Sequence, residues 1–457
     1  MFLENLFMKD RFLLFLLLVA VLLGIGCEKE EAVPSIELFS ATLNGATLTN
    51  GLSEVPLSST LTLVFSSAID PAKFEEAFAL SPAPQELSFR YENQSSKVVV
   101  DLSLALQTTY QLTIARQGIG QNGGQLETDY SRSFSTVQSE VITSLPPCTS
   151  ATNDCLQAVS VAGTGSGVVQ FYGSFPIFEE QANWQELKAA VVVVHGANRD
   201  ADNYFTILNS TLQALDLSDQ VVLLAPAFRN EQEATDTELY WTNTGWRAGN
   251  SSLESSAVSS FTVVDQLLEQ LADREHFPVL EKVIITGHSS GGLFTHLYAA
   301  ANEVEDQYPE LSFTYVSANS QYFYYPDGRR INEATNDLYT PTDCTGYDIY
   351  PLGYNIVPAY LSSTTSADYN SRFLNRALIY LLGNGNGSDP ALNTTDCSAT
   401  LLGSSRYQRG ENMYRYLELA FPAEHQHQRQ IVEGIGHNGQ GMYQSPEFRA
   451  LLQQILN

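Results

Sequence analysis

The feature that most constrains the fold is a strand-like run that leads into a serine flanked by glycines. Residues 283–286 read Val-Ile-Ile-Thr, and Gly-His-Ser-Ser-Gly follows over 287–291. The next stretch, 293–302, is rich in Ala, Leu and Tyr and favours a helix. A Gly-x-Ser-x-Gly between a strand and a helix is typical of a sharp turn that exposes the serine hydroxyl. Such a turn requires glycines because it brings backbone segments together where a Cβ would clash.

The motif by itself is weak evidence. The chain contains 30 glycines and many serines, so the alternative is a serine in an ordinary glycine-rich turn. The strand before the motif, the helix after it and a histidine further along the chain favour an exposed nucleophile, Ser289.

Strand-like and helix-like segments alternate through the C-terminal two thirds of the chain. An amphipathic pattern over 255–275 predicts a helix with one buried face. Besides the run at 283–286, short apolar or β-branched segments predict strands at 189–194, 221–225, 313–316, 377–382 and 430–432. This alternation predicts a mostly parallel central sheet flanked by helices.

The region from about 186 to 457 resembles the α/β-hydrolase superfamily, within an esterase- or lipase-like branch of secreted proteins. The resemblance is carried by His-Gly-Ala-Asn-Arg-Asp at 195–200, Trp241 with Gly245, Trp246 and Gly249, and the stretches 287–292, 315–319, 380–383 and 436–438. It implies cleavage of carboxylic esters through an acyl-enzyme on Ser289. It implies no metal and no organic cofactor.

The same resemblance gives roles to a base and an acid. His437 follows the last predicted strand between glycines and is the expected general base. The acid is expected after the strand at 377–382, where asparagines occupy the nearest places. Asp389 is the first carboxylate reached and our first choice, and Asp396 is the alternative.

The oxyanion hole and the substrate pocket are predicted from position. Backbone N–H groups of Ala197 and Ser290 are expected to face the oxyanion. Trp246, Tyr322 and Tyr324 are candidates for substrate contact, because they lie on segments that follow strands at the carboxyl edge of the sheet. The alternative is that these aromatic side chains only pack in the core.

Residues 34–138 are predicted to be all-β, with a short helix at 70–76. Residues 34–137 resemble the bacterial Ig-like domain of SbsA-type surface proteins, through Leu-Val-Phe-Ser at 63–66, Thr-Tyr-Gln-Leu at 109–112 and the closing stretch 124–136. This resemblance implies a β-sandwich that acts as a spacer or as a weak adhesion module.

The N-terminus is typical of an export signal. An apolar run at 12–25 follows Lys9 and Arg11, and Cys27 then precedes an acidic stretch. The run is short for a membrane span, so 1–26 is predicted to be a signal peptide. Cys27 resembles the lipid-attachment cysteine of bacterial lipoproteins, which implies an outer-membrane lipoprotein attached to the membrane by its lipid. The alternatives are an ordinary secretory signal and an uncleaved anchor.

Charge and cysteine content fit an exported enzyme. The net charge of −28 disfavours nucleic acid as a partner, because such a surface repels phosphates. Without Cys27, four cysteines remain, an even number that suits an oxidising compartment. We expect the pairs Cys148–Cys155 and Cys344–Cys397, with free buried thiols as the alternative.

The sequence thus predicts a multidomain chain with an Ig-like sandwich followed by an α/β-hydrolase domain. The expected segments are a signal peptide at 1–26, a lipid-attachment site and acidic tether at 27–33, the sandwich at 34–138, a linker at 139–158 and the catalytic domain at 159–457. The expected function is hydrolysis of a small-molecule or polymer ester. The rival functions are a peptidase of the same fold and a non-catalytic surface binding protein.

Overall fold

The chain forms two compact units, which divide between Glu140 and Val141. A computed structural model describes residues 34–137, 142–162, 165–235, 237–253 and 257–456. The predicted signal peptide and lipid-attachment site therefore lie outside the described residues. Within those ranges, no helix combines the length and the apolar character needed to cross a membrane.

The first unit is a β-sandwich, as predicted. Its strands are β1 Leu38–Leu43, β2 Ala46–Thr47, β3 Leu52–Val55, β4 Ser58–Phe65, β5 Phe78–Ser81, β6 Glu86–Glu92, β7 Lys97–Ser103, β8 Thr109–Ile114 and β9 Tyr130–Thr136. One sheet has the order β2-β1-β4-β7-β6, and the other has the order β3-β9-β8-β5. Alternate residues of β4 are buried, including Leu61, Leu63 and Phe65, so each strand turns one face to the core between the sheets.

The predicted short helix of the sandwich is α1, Pro71–Ala77. The Asp70 carboxylate caps its N-terminus by accepting hydrogen bonds from the backbone N–H groups of Ala72 and Lys73. Pro71 suits the first turn because its missing N–H has no intrahelical partner there. Phe74 is fully buried, so the helix closes the core of the sandwich.

The second unit is built on a sheet of eight strands. The strands of this unit are β10 Leu156–Ala162, β11 Ser166–Gly173, β12 Ala189–Val194, β13 Val221–Pro226, β14 Lys282–His288, β15 Ser312–Ala318, β16 Arg330–Asn332, β17 Asp337–Tyr339, β18 Leu378–Gly383 and β19 Gln428–Val432. The sheet has the order β10-β11-β13-β12-β14-β15-β18-β19, and β16 and β17 form a separate hairpin. Pairings are parallel from β13 to β19 and antiparallel at the β10–β11 edge.

Helices cover both faces of this sheet. They are α2 Ala201–Gln213, α3 Ser260–Ala272, α4 Ser290–Ala301, α5 Val304–Gln307, α6 Ser366–Asn375, α7 Cys397–Thr400, α8 Arg406–Ala420, α9 Gly439–Tyr443 and α10 Pro446–Leu456. Every residue of β12, β13 and β18 is buried, as expected for central parallel strands. Alternate strand residues face two cores, one with α2, α9 and α10 and the other with α3, α4, α6 and α8.

The described part of the predicted linker, 142–158, is folded onto the second unit. The Cys148 N–H donates to the Ser174 carbonyl at 2.7 Å, and Cys155 is buried beside α2. Both predicted disulfides, Cys148–Cys155 and Cys344–Cys397, are present. The first disulfide fixes the short loop that precedes β10.

Candidate active site

Ser289 occupies a strained turn between β14 and α4. Its backbone has φ 61° and ψ −111°, and its N–H donates to the Ala318 carbonyl of β15 at 2.9 Å. A positive φ is unfavourable for a residue with a side chain, and such strain is often found at functional sites. The turn leaves Ser289 partly exposed at the carboxyl edge of the sheet, although its neighbours are buried.

The two motif glycines permit a close approach of backbone segments. A Cβ on Gly287 would lie 2.3 Å from the Gly291 carbonyl oxygen, and a Cβ on Gly291 would lie 2.2 Å from the Val194 carbonyl oxygen. Neither position accepts a side chain without a shift of the backbone. The first turn of α4 is thereby held against the end of β12, where the predicted oxyanion loop begins.

His437 lies next to this turn. It is on the loop between β19 and α9, and its side chain is 22% exposed. Its ring stacks on that of His288, with centroids 5.0 Å apart, and His288 directly precedes Ser289. In the described part of the chain, no hydrogen bond joins Ser289 Oγ to His437. Catalytic hydrogen bonds are often loose in the free enzyme and tighten when substrate binds.

Asp389 is the carboxylate that meets His437. Its Oδ1 lies 3.2 Å from His437 Nδ1. The alternative acid, Asp396, is engaged elsewhere, because its Oδ2 accepts a hydrogen bond from Asn393 Nδ2 at 2.6 Å. A proton on His437 Nδ1 that points to Asp389 leaves Nε2 as the ring nitrogen that can accept a proton.

The nucleophile, the acid and the base occur in that order along the chain, and each follows a strand of the central sheet. Ser289 follows the fifth strand of the sheet, β14, Asp389 follows the seventh, β18, and His437 follows the eighth, β19. The second unit has the α/β-hydrolase fold. The hydrolase unit carries every strand that was predicted between 189 and 432, together with the unpredicted antiparallel pair β10–β11 at its edge.

Comparisons with known proteins found one family model and several solved structures that are similar to parts of this chain. Residues 40–136 match the family model of a bacterial Ig-like domain, Big_5. Among solved structures, the chain is similar to poly(aspartic acid) hydrolase-1 from Sphingomonas sp. KT-1, at 19% identity and a TM-score of 0.45, over 66% of this chain and 98% of that chain. It is also similar to LpqC, a poly(3-hydroxybutyrate) depolymerase from Bordetella parapertussis, at 18% identity and a TM-score of 0.45, over 66% and 94% of the two chains. A search of curated proteins found no significant match.

Arg406 is a member of the site that the sequence reasoning missed. Its Nε donates to Asp389 Oδ2 at 2.8 Å, its Nη1 donates to the Asn319 carbonyl at 3.1 Å, and its Nη2 lies 3.5 Å from His437 Nδ1. The side chain is only 5% exposed. An arginine at the start of a helix, 17 residues from its partner, gives no local signal of this role.

Arg406 sets the electrostatics of the acid and the base. Partial burial and then the Arg406 charge lower the pKa of His437, against the opposing effect of Asp389. Burial alone would raise the pKa of the Asp389 carboxyl, but the hydrogen bond and charge of Arg406 lower it overall. At neutral pH the site therefore holds a neutral imidazole and an ionised carboxylate, the protonation states that a general base and its orienting acid need.

Both predicted oxyanion donors are free. Within the described ranges, neither the Ala197 N–H nor the Ser290 N–H donates a hydrogen bond. His195 shapes the loop before Ala197: its Nδ1 donates to the Gly196 carbonyl at 2.8 Å, and its Nε2 accepts from the Phe228 N–H at 3.1 Å. Burial lowers the pKa of His195 to about 4, so it is a neutral structural group.

Two of the three aromatic side chains predicted to contact substrate are buried, as the alternative of core packing expects. Trp246 and Tyr324 are both fully buried. Trp246 packs against His195 and Phe228, with centroids 4.5 and 5.6 Å away, so its ring belongs to the core. Only Tyr322 is partly exposed. The position of a residue along the sheet edge predicted which segments approach the site, but not which side chains turn inward.

Proposed function

We propose that the hydrolase unit is a serine esterase that forms an acyl-enzyme on Ser289. The observation that carries the proposal is the 3.2 Å contact between His437 Nδ1 and Asp389, beside a strained serine on a Gly-x-Ser-x-Gly turn. A nucleophile, a base and an acid that orients the base are the parts that acyl transfer requires.

In the proposed mechanism, His437 Nε2 takes the proton of Ser289 Oγ while Oγ attacks the ester carbonyl. The oxyanion that forms accepts hydrogen bonds from the N–H groups of Ala197 and Ser290. The C–O bond to the alcohol breaks, and the alcohol leaves with the proton from His437. Water then attacks the acyl-enzyme and gives a proton to His437. The bond between the acyl carbon and Ser289 Oγ breaks, and His437 returns the proton to Oγ as the carboxylic acid leaves. Asp389 stays ionised throughout and stabilises the imidazolium.

Labelling with a fluorophosphonate, read by intact mass, tests this proposal. We expect a single adduct on the wild-type protein and none on Ser289→Ala. Ser210→Ala is the matched control, because Ser210 is an exposed serine of α2 in the same unit, and it should label like the wild type. Absence of an adduct, under conditions that label a control esterase, would contradict the proposal and favour a surface binding protein on a hydrolase scaffold.

A second test separates esterase from peptidase. Hydrolysis of soluble esters and of oligopeptide amides is measured with the same protein preparation. We expect turnover of esters with little turnover of amides. A higher kcat/KM on peptides would replace the esterase proposal with a peptidase of the same fold.

We further propose that the protein is a lipoprotein anchored to the bacterial outer membrane through Cys27. The support is the basic and apolar leader, the small residue before Cys27 and the acidic stretch after it. Metabolic labelling with a fatty-acid probe should mark the wild-type protein and spare Cys27→Ser. Equal labelling of both would contradict the anchor.

A further inference from the structure

A second cation lies beside the nucleophile. Arg247 belongs to the turn at 246–248 between β13 and α3, and its Nη1 donates to Ser290 Oγ at 3.2 Å. Ser290 directly follows Ser289 and carries a proposed oxyanion donor. The Arg247 guanidinium is therefore fixed within one residue of the nucleophile, and the proposed mechanism does not use it.

This guanidinium has no counterion among the residues that the structure describes. Among the described residues, no carboxylate forms an ion pair with Arg247, and the bond to Ser290 is its one hydrogen bond. Two other arginines near the site have several partners: Arg406 binds Asp389 and the Asn319 carbonyl, and Arg199 donates to three backbone carbonyls. An arginine has five N–H donors, so most of those on Arg247 remain available.

The available donors of Arg247 remain open to solvent. Within the described chain, the Nε atoms of Arg330 and Arg449 are buried without a hydrogen-bond partner. No nitrogen of Arg247 is both buried and without a partner. Burial lowers the pKa of Arg247, yet a guanidinium stays charged in proteins. A charge held partly out of water without a counterion is costly, and an anionic ligand would offset that cost.

Tyr322 orients the guanidinium. The Arg247 guanidinium carbon lies 5.4 Å from the centroid of the Tyr322 ring. The Tyr322 hydroxyl accepts a hydrogen bond from Asn393 Nδ2 at 3.0 Å, and Asp396 holds the same amide group at 2.6 Å. The Arg247 guanidinium is thus held between Ser290 and the Tyr322 ring. A planar guanidinium that is fixed in this way favours a carboxylate that accepts two hydrogen bonds from it.

We propose that Arg247 binds a free carboxylate of the substrate, so that the preferred substrates are esters carrying one carboxylate close to the scissile bond. The inference rests on the proposed esterase function and names its substrate class. A single unpaired guanidinium matches one negative charge. A dianionic phosphate group would need further cations, in a protein whose net charge is −28.

The test compares two esters of equal chain length, 4-nitrophenyl hydrogen adipate and 4-nitrophenyl methyl adipate. In the wild type we expect kcat/KM to be at least about 10-fold higher for the anionic ester, the range of a charge-assisted pair. Arg247→Met removes the charge and keeps much of the volume, so the ratio of the two kcat/KM values should fall to about 1. Arg247→Lys should restore part of the preference.

Arg415→Met is the matched control, because Arg415 is an exposed arginine of α8, and it should keep the wild-type ratio. A wild-type protein that hydrolyses both esters equally, or an Arg247→Met protein that keeps the preference, overturns the carboxylate site alone. Labelling of Ser289 by fluorophosphonate without hydrolysis of either adipate also overturns it. Absence of both labelling and hydrolysis overturns the esterase proposal, and the carboxylate site falls with it.

Discussion

Arg406 and His437 bind opposite oxygens of one carboxylate. Arg406 Nε lies 2.8 Å from Asp389 Oδ2, and His437 Nδ1 lies 3.2 Å from Asp389 Oδ1. Both oxygens of the carboxylate are therefore occupied, and its plane is fixed. This explains how the acid can lie six residues beyond the end of β18, on a loop rich in glycine and asparagine, and still meet the base.

Replacement of the acid tests which aspartate orients His437. Asp389→Asn should lower kcat on a soluble ester by about 10³ to 10⁴-fold, because an amide at this position favours the wrong imidazole tautomer. Asp396→Asn should lower kcat by less than about 10-fold, since in the described part of the chain the Asp396 carboxylate binds Asn393 and not His437. Steady-state kinetics of the two variants decide the matter, and an equal loss in both would contradict the assignment.

The acidic limb of the pH profile should lie below the ordinary histidine range. The base must be neutral to act, and burial together with Arg406 lowers the pKa of His437 from 6.5. Activity should therefore persist below pH 6.5 and decline as the pH falls through the lowered pKa. The dependence of kcat/KM on pH measures this midpoint. A midpoint above 6.5 would show that Asp389 outweighs burial and Arg406.

Removal of the Arg406 charge should shift the acidic limb of the pH profile of kcat/KM. In Arg406→Met, the Asp389 carboxylate loses its second partner and His437 loses a neighbouring cation, and both changes raise the pKa of His437. We expect the midpoint of the acidic limb to rise by about one pH unit, the size of effect that a close charge produces. Arg415→Met should leave the midpoint where it is in the wild type. An unchanged midpoint in Arg406→Met would mean that the arginine acts only through packing.

Tyr204 stabilises the turn that carries Ser289. Its hydroxyl lies 2.9 Å from Nδ1 of the buried His288, whose Nε2 has no hydrogen-bond partner among the described residues. Tyr204→Phe leaves both ring nitrogens unpaired, which should lower the free energy of unfolding by about 1–3 kcal/mol. Tyr172→Phe is the control, because no hydrogen bond of the Tyr172 hydroxyl occurs within the described residues. Urea denaturation compares them, and equal stabilities would contradict the prediction.

The disulfide Cys344–Cys397 should support the acid loop. It spans 53 residues and attaches the segment after Asp389 to the chain near the β16–β17 hairpin. Replacing both cysteines by serine should lower the free energy of unfolding by about 2–4 kcal/mol, because the unfolded chain regains freedom. The Cys148–Cys155 disulfide has a sequence separation of only seven residues, so its removal should lower the free energy of unfolding by less. Denaturant midpoints test the order, and the reverse order would contradict it.

Local pattern was sufficient for much of the fold. The parallel strands are continuous apolar runs, so β12, β13 and β18 were predicted within one or two residues. The pair β10–β11 was not predicted, because its strands alternate polar and buried residues at an antiparallel edge that includes glycines. β11 also pairs with β13, and periodicity alone does not reveal such a long-range partner.

Some residues of the site could be predicted from local sequence and others could not. Ser289 and His437 were chosen from their place after strands, and the structure brings His288, the neighbour of Ser289, into contact with His437. Arg406 and Arg247 escaped notice because their roles depend on partners 17 and 43 residues away. Trp246 was assigned to the pocket, although packing against the core decided its direction.

The contact between Gly291 and the end of β12 has a consequence for protein engineering. The Ser289 turn is held by a close backbone contact between Gly291 and Val194. We therefore expect side-chain substitutions outside this contact to change the backbone geometry of the turn little. Arg247 and Tyr322 come from separate insertions between strands, outside that contact. A designer who wishes to redirect this scaffold to uncharged or bulkier substrates can therefore substitute Arg247 and Tyr322 and leave the backbone of the Ser289 turn as it stands.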